Sequence, residues 1–258
     1  MSWASKRQFT YGTIVIAVII FAISIPAYLY LNKPPTCIDN KQNGDEKGVD
    51  CGGSCDTLCV SQISDPIIQW SKVFKVSDGV YDAVAYVENP NVNAGVKKVI
   101  YKFKLYDKNN VLVAERVGKT FIGQNEQFAI FESNIRTGKR IPKNAFLEFK
   151  QGIDWTRLKI SKADIPNIFA RNKNISGLET KPRLNALLVN DDPFKVLNIE
   201  VVAILYDING NSIAVSSTVV DSMAKNSTKN VTFTWTKPFS TLPVKIEIIP
   251  RTNLFKIE

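Results

Sequence analysis

The tripeptide Leu-Tyr-Asp occurs twice, at Leu105-Tyr106-Asp107 and at Leu205-Tyr206-Asp207, and the residues around both copies match. The stretch Phe103 to Asn110 aligns with Ala203 to Gly210, and Ala114 aligns with Ala214. A repeat on this scale means two domains of one kind in tandem. A chain of 258 residues has room for two such domains. Val99, Tyr101, Phe103 and Leu105 alternate with Ile100, Lys102, Lys104 and Tyr106. In the second copy Leu197, Ile199, Val201, Ala203 and Leu205 alternate with Asn198, Glu200, Val202, Ile204 and Tyr206. Period-two patterning of this kind predicts strands with one face buried. Each runs into a turn, through Asn109-Asn110 or Asn209-Gly210, where Asn and Gly supply positive φ and Asp107 or Asp207 can bond the turn backbone. Return strands follow at 111–114 and 212–215.

Further strands are predicted before and after. Residues 84–89 match 185–190, each ending in Asn and displaced by one residue from the Leu-Tyr-Asp spacing, which places a one-residue insertion in the following loop. Strands at 128–131 and 145–149 close the first repeat; strands at 231–235 and 244–248 close the second. Short strands at this spacing predict an all-β chain of two tandem β-sandwiches. Phe103, Leu105 and Tyr106 are read as packing residues. The replacement of Phe103 by Ala203 is where a division of labour between repeats would first show.

Phe103-x-Leu105-Tyr106-Asp107 resembles the signature of the FxLYD domain family, which is similar to the late-embryogenesis-abundant, water-stress type of immunoglobulin-like β-sandwich. Val87-Glu88-Asn89-Pro90-Asn91 is similar to the strand end of those domains. The second repeat departs at Ala203 and at Asp191, where Phe and Pro or Thr are expected. The resemblance covers most of residues 65–258 and implies a fold without catalytic residues.

Between Arg7 and Lys33 there is no charge. That run is long enough to cross a bilayer as a helix, with Trp3, Phe9 and Tyr11 at one end and Tyr28 and Tyr30 at the other, as interfacial rings favour. A cleaved signal peptide is the alternative, but bulky Tyr28 to Leu31 offers no small-x-small cleavage site. The expectation is an uncleaved signal anchor. Lys6 and Arg7 before the span, against Lys33 after it, put the N-terminus in the cytoplasm and the remainder outside.

All four cysteines fall between Cys37 and Cys59: Cys37, Cys51, Cys55 and Cys59. An even count in so short a segment reads as two disulfides, with three connectivities open. A tetrahedral zinc site is the competing reading, but Cys-x-x-Cys pairs are missing. The spacer carries a partial calcium-loop pattern in which Asp39, Asn43, Gly44 and Asp50 fill positions 1, 5, 6 and 12, while Lys41 spoils position 3. The alternative is an acidic, Gly-rich turn held by disulfides. The segment resembles a short cysteine motif of bacterial and animal extracellular proteins, which implies a stalk module and no activity.

Net charge is +9: Lys6 and Arg7 give two, residues 33–60 hold three Lys against five acids, and residues 61–258 carry +9. A basic ectodomain suits anionic headgroups or acidic polymers, or serves solubility alone. No basic run is interleaved with aromatics, so nucleic acid is not expected. The chain has no histidine, which removes the commonest general base and most Ser-His and zinc chemistry. An enzyme is not expected, and no cofactor beyond the calcium reading.

The organisation expected is therefore a cytoplasmic N-terminus (1–10), a transmembrane anchor (11–31), a Cys-rich stalk (32–62) and sandwiches at 63–152 and 153–258. The run from Ile153 to Ile160 lacks a Gly/Ser or Pro tract, so the sandwiches should abut. Trp70 and Trp155 are expected to be equivalent core anchors. Asn174, Asn226 and Asn230 lie in glycosylation sequons. The expected role is a membrane-anchored, extracytoplasmic scaffold, adhesion element or accessory subunit of the cell envelope, its protein or polymer partner unknown. The alternative is a module binding lipid, polysaccharide or calcium.

Overall fold

The computed structural model describes residues 3–31, 37–159 and 164–256. Lys33 and Ile160, as well as the side chain of Lys6, lie outside the described residues. The chain divides into two compact units, Met1–Cys59 and Val60–Glu258.

In the first unit, helix α1 spans Trp3–Leu31 and continues through Pro26. Its segment Arg7–Tyr30 has the length and apolarity to cross a membrane, a test that a signal sequence also passes. From Phe9 to Leu31 the helix is apolar on every side. Two of its hydroxyls are satisfied internally: Thr13 Oγ1 donates to the Phe9 carbonyl at 2.8 Å, and Ser24 donates to the Ile20 carbonyl. After it comes a small knob, residues 37–59, closed by two disulfides.

The second unit is all β. Strands β1 (Ile67–Ser77), β2 (Val80–Glu88) and β5 (Gln127–Arg136) form one antiparallel sheet. Strands β3 (Ala94–Tyr106), β4 (Leu112–Ile122) and β6 (Asn144–Phe149) form a second, which β7 (Thr156–Arg157) joins by pairing with Ala94 and Gly95. The same plan recurs. Strands β8 (Ile168–Ser176), β9 (Arg183–Asn190) and β12 (Ser227–Thr234) make the third sheet, and β10 (Val196–Tyr206), β11 (Ser212–Met223) and β13 (Lys245–Arg251) the fourth. The two copies of the Leu-Tyr-Asp strand, β3 and β10, hold the centre of their sheets, as do the two Asn-ended strands, β2 and β9.

Alternate residues of each pair of sheets meet as a core. In the first sandwich Ala83, Ala85, Val87 and Phe128 are buried from one side, and Phe103, Leu105 and Leu147 from the other. In the second, Leu184, Leu188 and Phe233 meet Val201, Ala203 and Leu205. Burying each large apolar side chain stabilises by about 1.5–3 kcal/mol.

Small motifs fix the chain reversals, and they are repeated. Asp107 Oδ1 accepts the amides of Asn109 and Val111, both at 2.9 Å, and Asp207 Oδ1 those of Asn209 and Asn211 at 2.9 and 2.8 Å. These amide bonds hold both carboxyls below their usual range. Asn110 and Gly210 take the positive φ (59° and 78°). Buried Asn89 donates to the carbonyls of Ala94 and Gly123 while its Oδ1 accepts the Asn91 amide. Asn190 repeats this with Phe194, Ala224 and Asp192. The clamp therefore survives the change of Pro90 to Asp191. Asn89 reaches five residues on and Asn190 four, which puts the one-residue insertion in that loop.

Two expectations are corrected. Trp70 lies on β1, where its ring stacks on Tyr86 at 5.8 Å, whereas buried Trp155 precedes β7; the two are not equivalent. The pairing of β7 with β3 also hydrogen-bonds Thr156–Arg157 to the first sandwich. Strand β10 is not half-buried: every residue from Val201 to Tyr206 is buried. Its second face packs against the first sandwich, for the reason given next.

Candidate functional site

Two places collect polar and apolar groups beyond what either sandwich core requires: the disulfide knob, and the seam between the sandwiches.

In the knob, Cys37 pairs with Cys55 (S–S 2.05 Å) and Cys51 with Cys59 (2.01 Å). Of three possible connectivities the structure takes first-to-third and second-to-fourth. Two of the glycines between the cysteines are required by space. A Cβ on Gly48 would meet Cys51 Sγ at 2.9 Å, and Gly53, at φ +58°, would meet the Asp45 carbonyl at 2.2 Å.

The three candidate oxygen ligands of the calcium pattern, Asp39, Asn43 and Asp50, are brought together, in hydrogen bonds. Asp50 accepts the Asp39 amide at 2.9 Å through Oδ1 and the Asn40 amide at 2.8 Å through Oδ2. Asp39 accepts the Lys41 amide and the Asn43 side-chain amide, both at 2.9 Å. These carboxylates thus cap a turn, and Lys41 contributes its amide rather than a ligand oxygen. Cys37, Glu46 and Cys55 also place their ligand-type atoms within 4.8 Å of one another. The two sulfurs are oxidised to a disulfide, so they are not thiolate ligands. Buried Glu46 instead accepts the Asn43 amide at 3.0 Å.

The seam joins the outer face of the β1-β2-β5 sheet to the outer face of the β11-β10-β13 sheet. Val84, Ala129, Val202, Ile204, Tyr206 and Val215 are buried together there, with Trp70, Phe74, Tyr86, Phe131 and Ile249 packed around them. The contact is head-to-tail: the Asn-strand sheet of one repeat meets the Leu-Tyr-Asp sheet of the other.

Strand pairing identifies the equivalent positions in the two repeats. Where the second repeat places Val202, Ile204, Val215 and Ile249 in the seam, the first has Lys102, Lys104, Glu115 and Glu148. Those four form two ion pairs, Lys102–Glu115 at 3.1 Å and Lys104–Glu148 at 2.7 Å, on an outer face. Conversely, Trp70, Val84, Tyr86, Ala129 and Phe131 of the seam correspond to Arg171, Asn185, Leu187, Asn230 and Thr232 on the outer face of the second sandwich.

Polar groups seal the seam. At one side the hydroxyls of Tyr86 and Tyr206 donate to the two oxygens of Glu247, at 3.0 and 2.8 Å. Burial, then the Glu247 carboxylate, pushes the Tyr86 phenol up to about 12. Tyr206 is raised for the same reasons. Lys72 Nζ donates to the Ser212 carbonyl at 2.6 Å. At the other side Arg251, the last residue of β13, inserts between Phe121 and Phe128, 4.0 Å from each ring centroid. It donates to Thr120 Oγ1 at 3.2 Å, to the Phe121 carbonyl at 2.7 Å and to Glu126 Oε1 at 2.9 Å. Its side chain is 3% exposed. Beside it opens a cleft of about 900 Å³ lined by Glu126, Asn167, Asp192, Arg251 and Leu254 among others.

Sequence reasoning missed Arg251, Glu126 and Glu247. The readable signal was the loss of alternation in β10, where Val202 and Ile204 stand in place of lysines.

No protein-family description and no curated protein sequence matches the chain. Among solved structures, a beta-glucuronidase from glycoside hydrolase family 2 aligns over 85% of this chain at 13% identity with a TM-score of 0.21. The chain spans 29% of that protein, and a likeness this low carries no argument.

Proposed function

We propose that this is a membrane-anchored, extracytoplasmic, non-enzymatic structural or interaction protein of the cell envelope. Helix α1 acts as an uncleaved anchor with its N-terminus in the cytoplasm. The knob serves as the stalk, and the two sandwiches, of the FxLYD or water-stress immunoglobulin-like type, form the head. The observation that carries this reading is the apolar seam sealed by Arg251 and Glu247, which welds the two domains into one rigid body suited to spacing and display. Two disulfides suit an oxidising compartment. Three carboxylates at or near the seam are engaged in packing: Glu247 by two tyrosines, Glu126 by Arg251, and Glu132 by Tyr101 and Arg116.

Protease added to intact cells should degrade the sandwiches and leave a short N-terminal fragment. Full protection would contradict the outward orientation. An amine-reactive cross-linker applied to membranes should convert the chain to a discrete larger species through the lysines of the outer β4-β3-β6 face. A chain that remains monomeric would contradict the interaction role.

The cleft beside Arg251 favours a second reading, a ligand-binding module. Amide and carboxylate groups next to apolar Leu254 suit a hydroxyl-rich ligand such as a polysaccharide. Oligosaccharides that raise the unfolding temperature of the head, an effect abolished by Asp192→Ala, would support it.

A further inference from the structure

The chain contains three Asn-x-Ser/Thr sequons, at Asn174, Asn226 and Asn230. Three are unremarkable in a chain this rich in Asn and Thr. Their placement is not. Asn174 is on β8, Asn230 is on β12, and Asn226 is in the turn that enters β12, so all three fall on one of the four sheets. All three side chains are exposed. None of their side-chain amides takes part in a hydrogen bond among the described residues. The Asn226 amide bonded to the Asp192 carbonyl is the backbone one.

Asn230 and Thr232 of one sequon occupy the positions that Ala129 and Phe131 hold in the seam. The face that buries the first repeat against the second thus carries, in the second repeat, a sequon on its edge strand β12. Around it stand Arg171, Asn185 and Thr228, with no carboxylate on the paired outer positions. A head-to-tail contact leaves one such face open at the end of the stack, and an open face can accept a further sandwich.

We propose that Asn230, with Asn174 and Asn226, is an N-glycosylation site, and that the glycan caps this end of the two-sandwich stack. The donor would be an oligosaccharide linked through its C1 to a lipid phosphate. The Asn side-chain nitrogen attacks C1, the N–C1 bond forms, and the C1–O bond to the phosphate breaks. The amide gives up one proton, and the lipid phosphate leaves with the bonding electron pair. No oxidant or reductant is involved. The glycan excludes another sandwich from this sheet and leaves the lysine-bearing β4-β3-β6 face, which has no sequon, free to meet a partner.

This rests on the outward orientation proposed above, because lipid-linked donors are used on that side of the membrane. The test is peptide mass spectrometry of the full chain purified from its own membranes, with intact-cell proteolysis and thiol labelling run on the same sample. The expected result is a peptide containing Asn230 heavier by at least one hexose, and loss of that addition in Asn230→Gln and Thr232→Val. An unmodified Asn230 peptide from a disulfide-bonded, protease-accessible chain overturns the glycosylation site and leaves the orientation standing. Free cysteines and protected sandwiches overturn both.

Discussion

Lys102 and Val202 occupy the same place in two copies of one strand, and the difference between them records which face is wet. The same holds for Lys104 and Ile204. By contrast Phe103 and Ala203, the pair that sequence comparison singles out, are both fully buried in their own cores. Their difference concerns core volume, not a division of labour. Arg251 makes the opposite kind of residue-scale statement, a cation taken out of water because it has partners. Removing one partner from a buried pair costs about 3–5 kcal/mol, since the other charge is left stranded. Glu126 is 23% exposed and would regain water, so Arg251→Ala should destabilise the head by less, about 1–3 kcal/mol, in denaturant unfolding. Arg251→Lys should recover only part of it, because an ammonium cannot span Thr120, the Phe121 carbonyl and Glu126 at once. The seam tyrosines give a pH signature. A phenol with a raised folded value holds its proton in the folded state while the unfolded chain loses it from about pH 10. Stability present below pH 10 should fall as pH rises towards about 12 for Tyr86. Tyr86→Phe/Tyr206→Phe should flatten that fall in an alkaline unfolding titration.

At the scale of elements, the sequence made legible the central strands and most of the edge strands beside them, but not β1 and β8. β3 carries alternation and a turn signal, and β10 an apolar run into the same turn. β1 and β8 lie at sheet edges, and the exposed Arg171-Asn172-Lys173-Asn174 run of β8 reads as a loop in sequence because one face of an edge strand needs no apolar residues. Pro250 inside β13 is tolerated for the same reason, the strand being an edge. The knob was legible in its chemistry and not in its connectivity, since pairing depends on where the chain turns. Its apolar core is too small to fold the segment unaided. Reduction should unfold the knob, exposing four labelled thiols and releasing the Asp39 and Asn40 amides to rapid hydrogen exchange. Persistent protection of those amides after reduction would show that the turn bonds suffice.

At the scale of the molecule, the two sandwiches are a duplicated unit stacked head-to-tail, and the repeats have diverged to suit their positions. The two faces that meet became apolar. The two that do not meet kept ion pairs on one sandwich, and amides, hydroxyls and arginines on the other. A single sequence read without its partner face shows this only as lost alternation, which is why the seam, the Arg251 clamp and the adjoining cleft were not legible beforehand. The most direct test restores the first repeat's residues in the second, as Val202→Lys/Ile204→Lys. Burying unpaired ammonium groups costs several kcal/mol and the lost aliphatic burial about 1.5–3 kcal/mol per side chain. Calorimetry of the full chain should show one cooperative transition for the natural protein. The double variant should show two, as each sandwich melts alone, with the first at a lower temperature. An unchanged single transition in the double variant would contradict the welded seam.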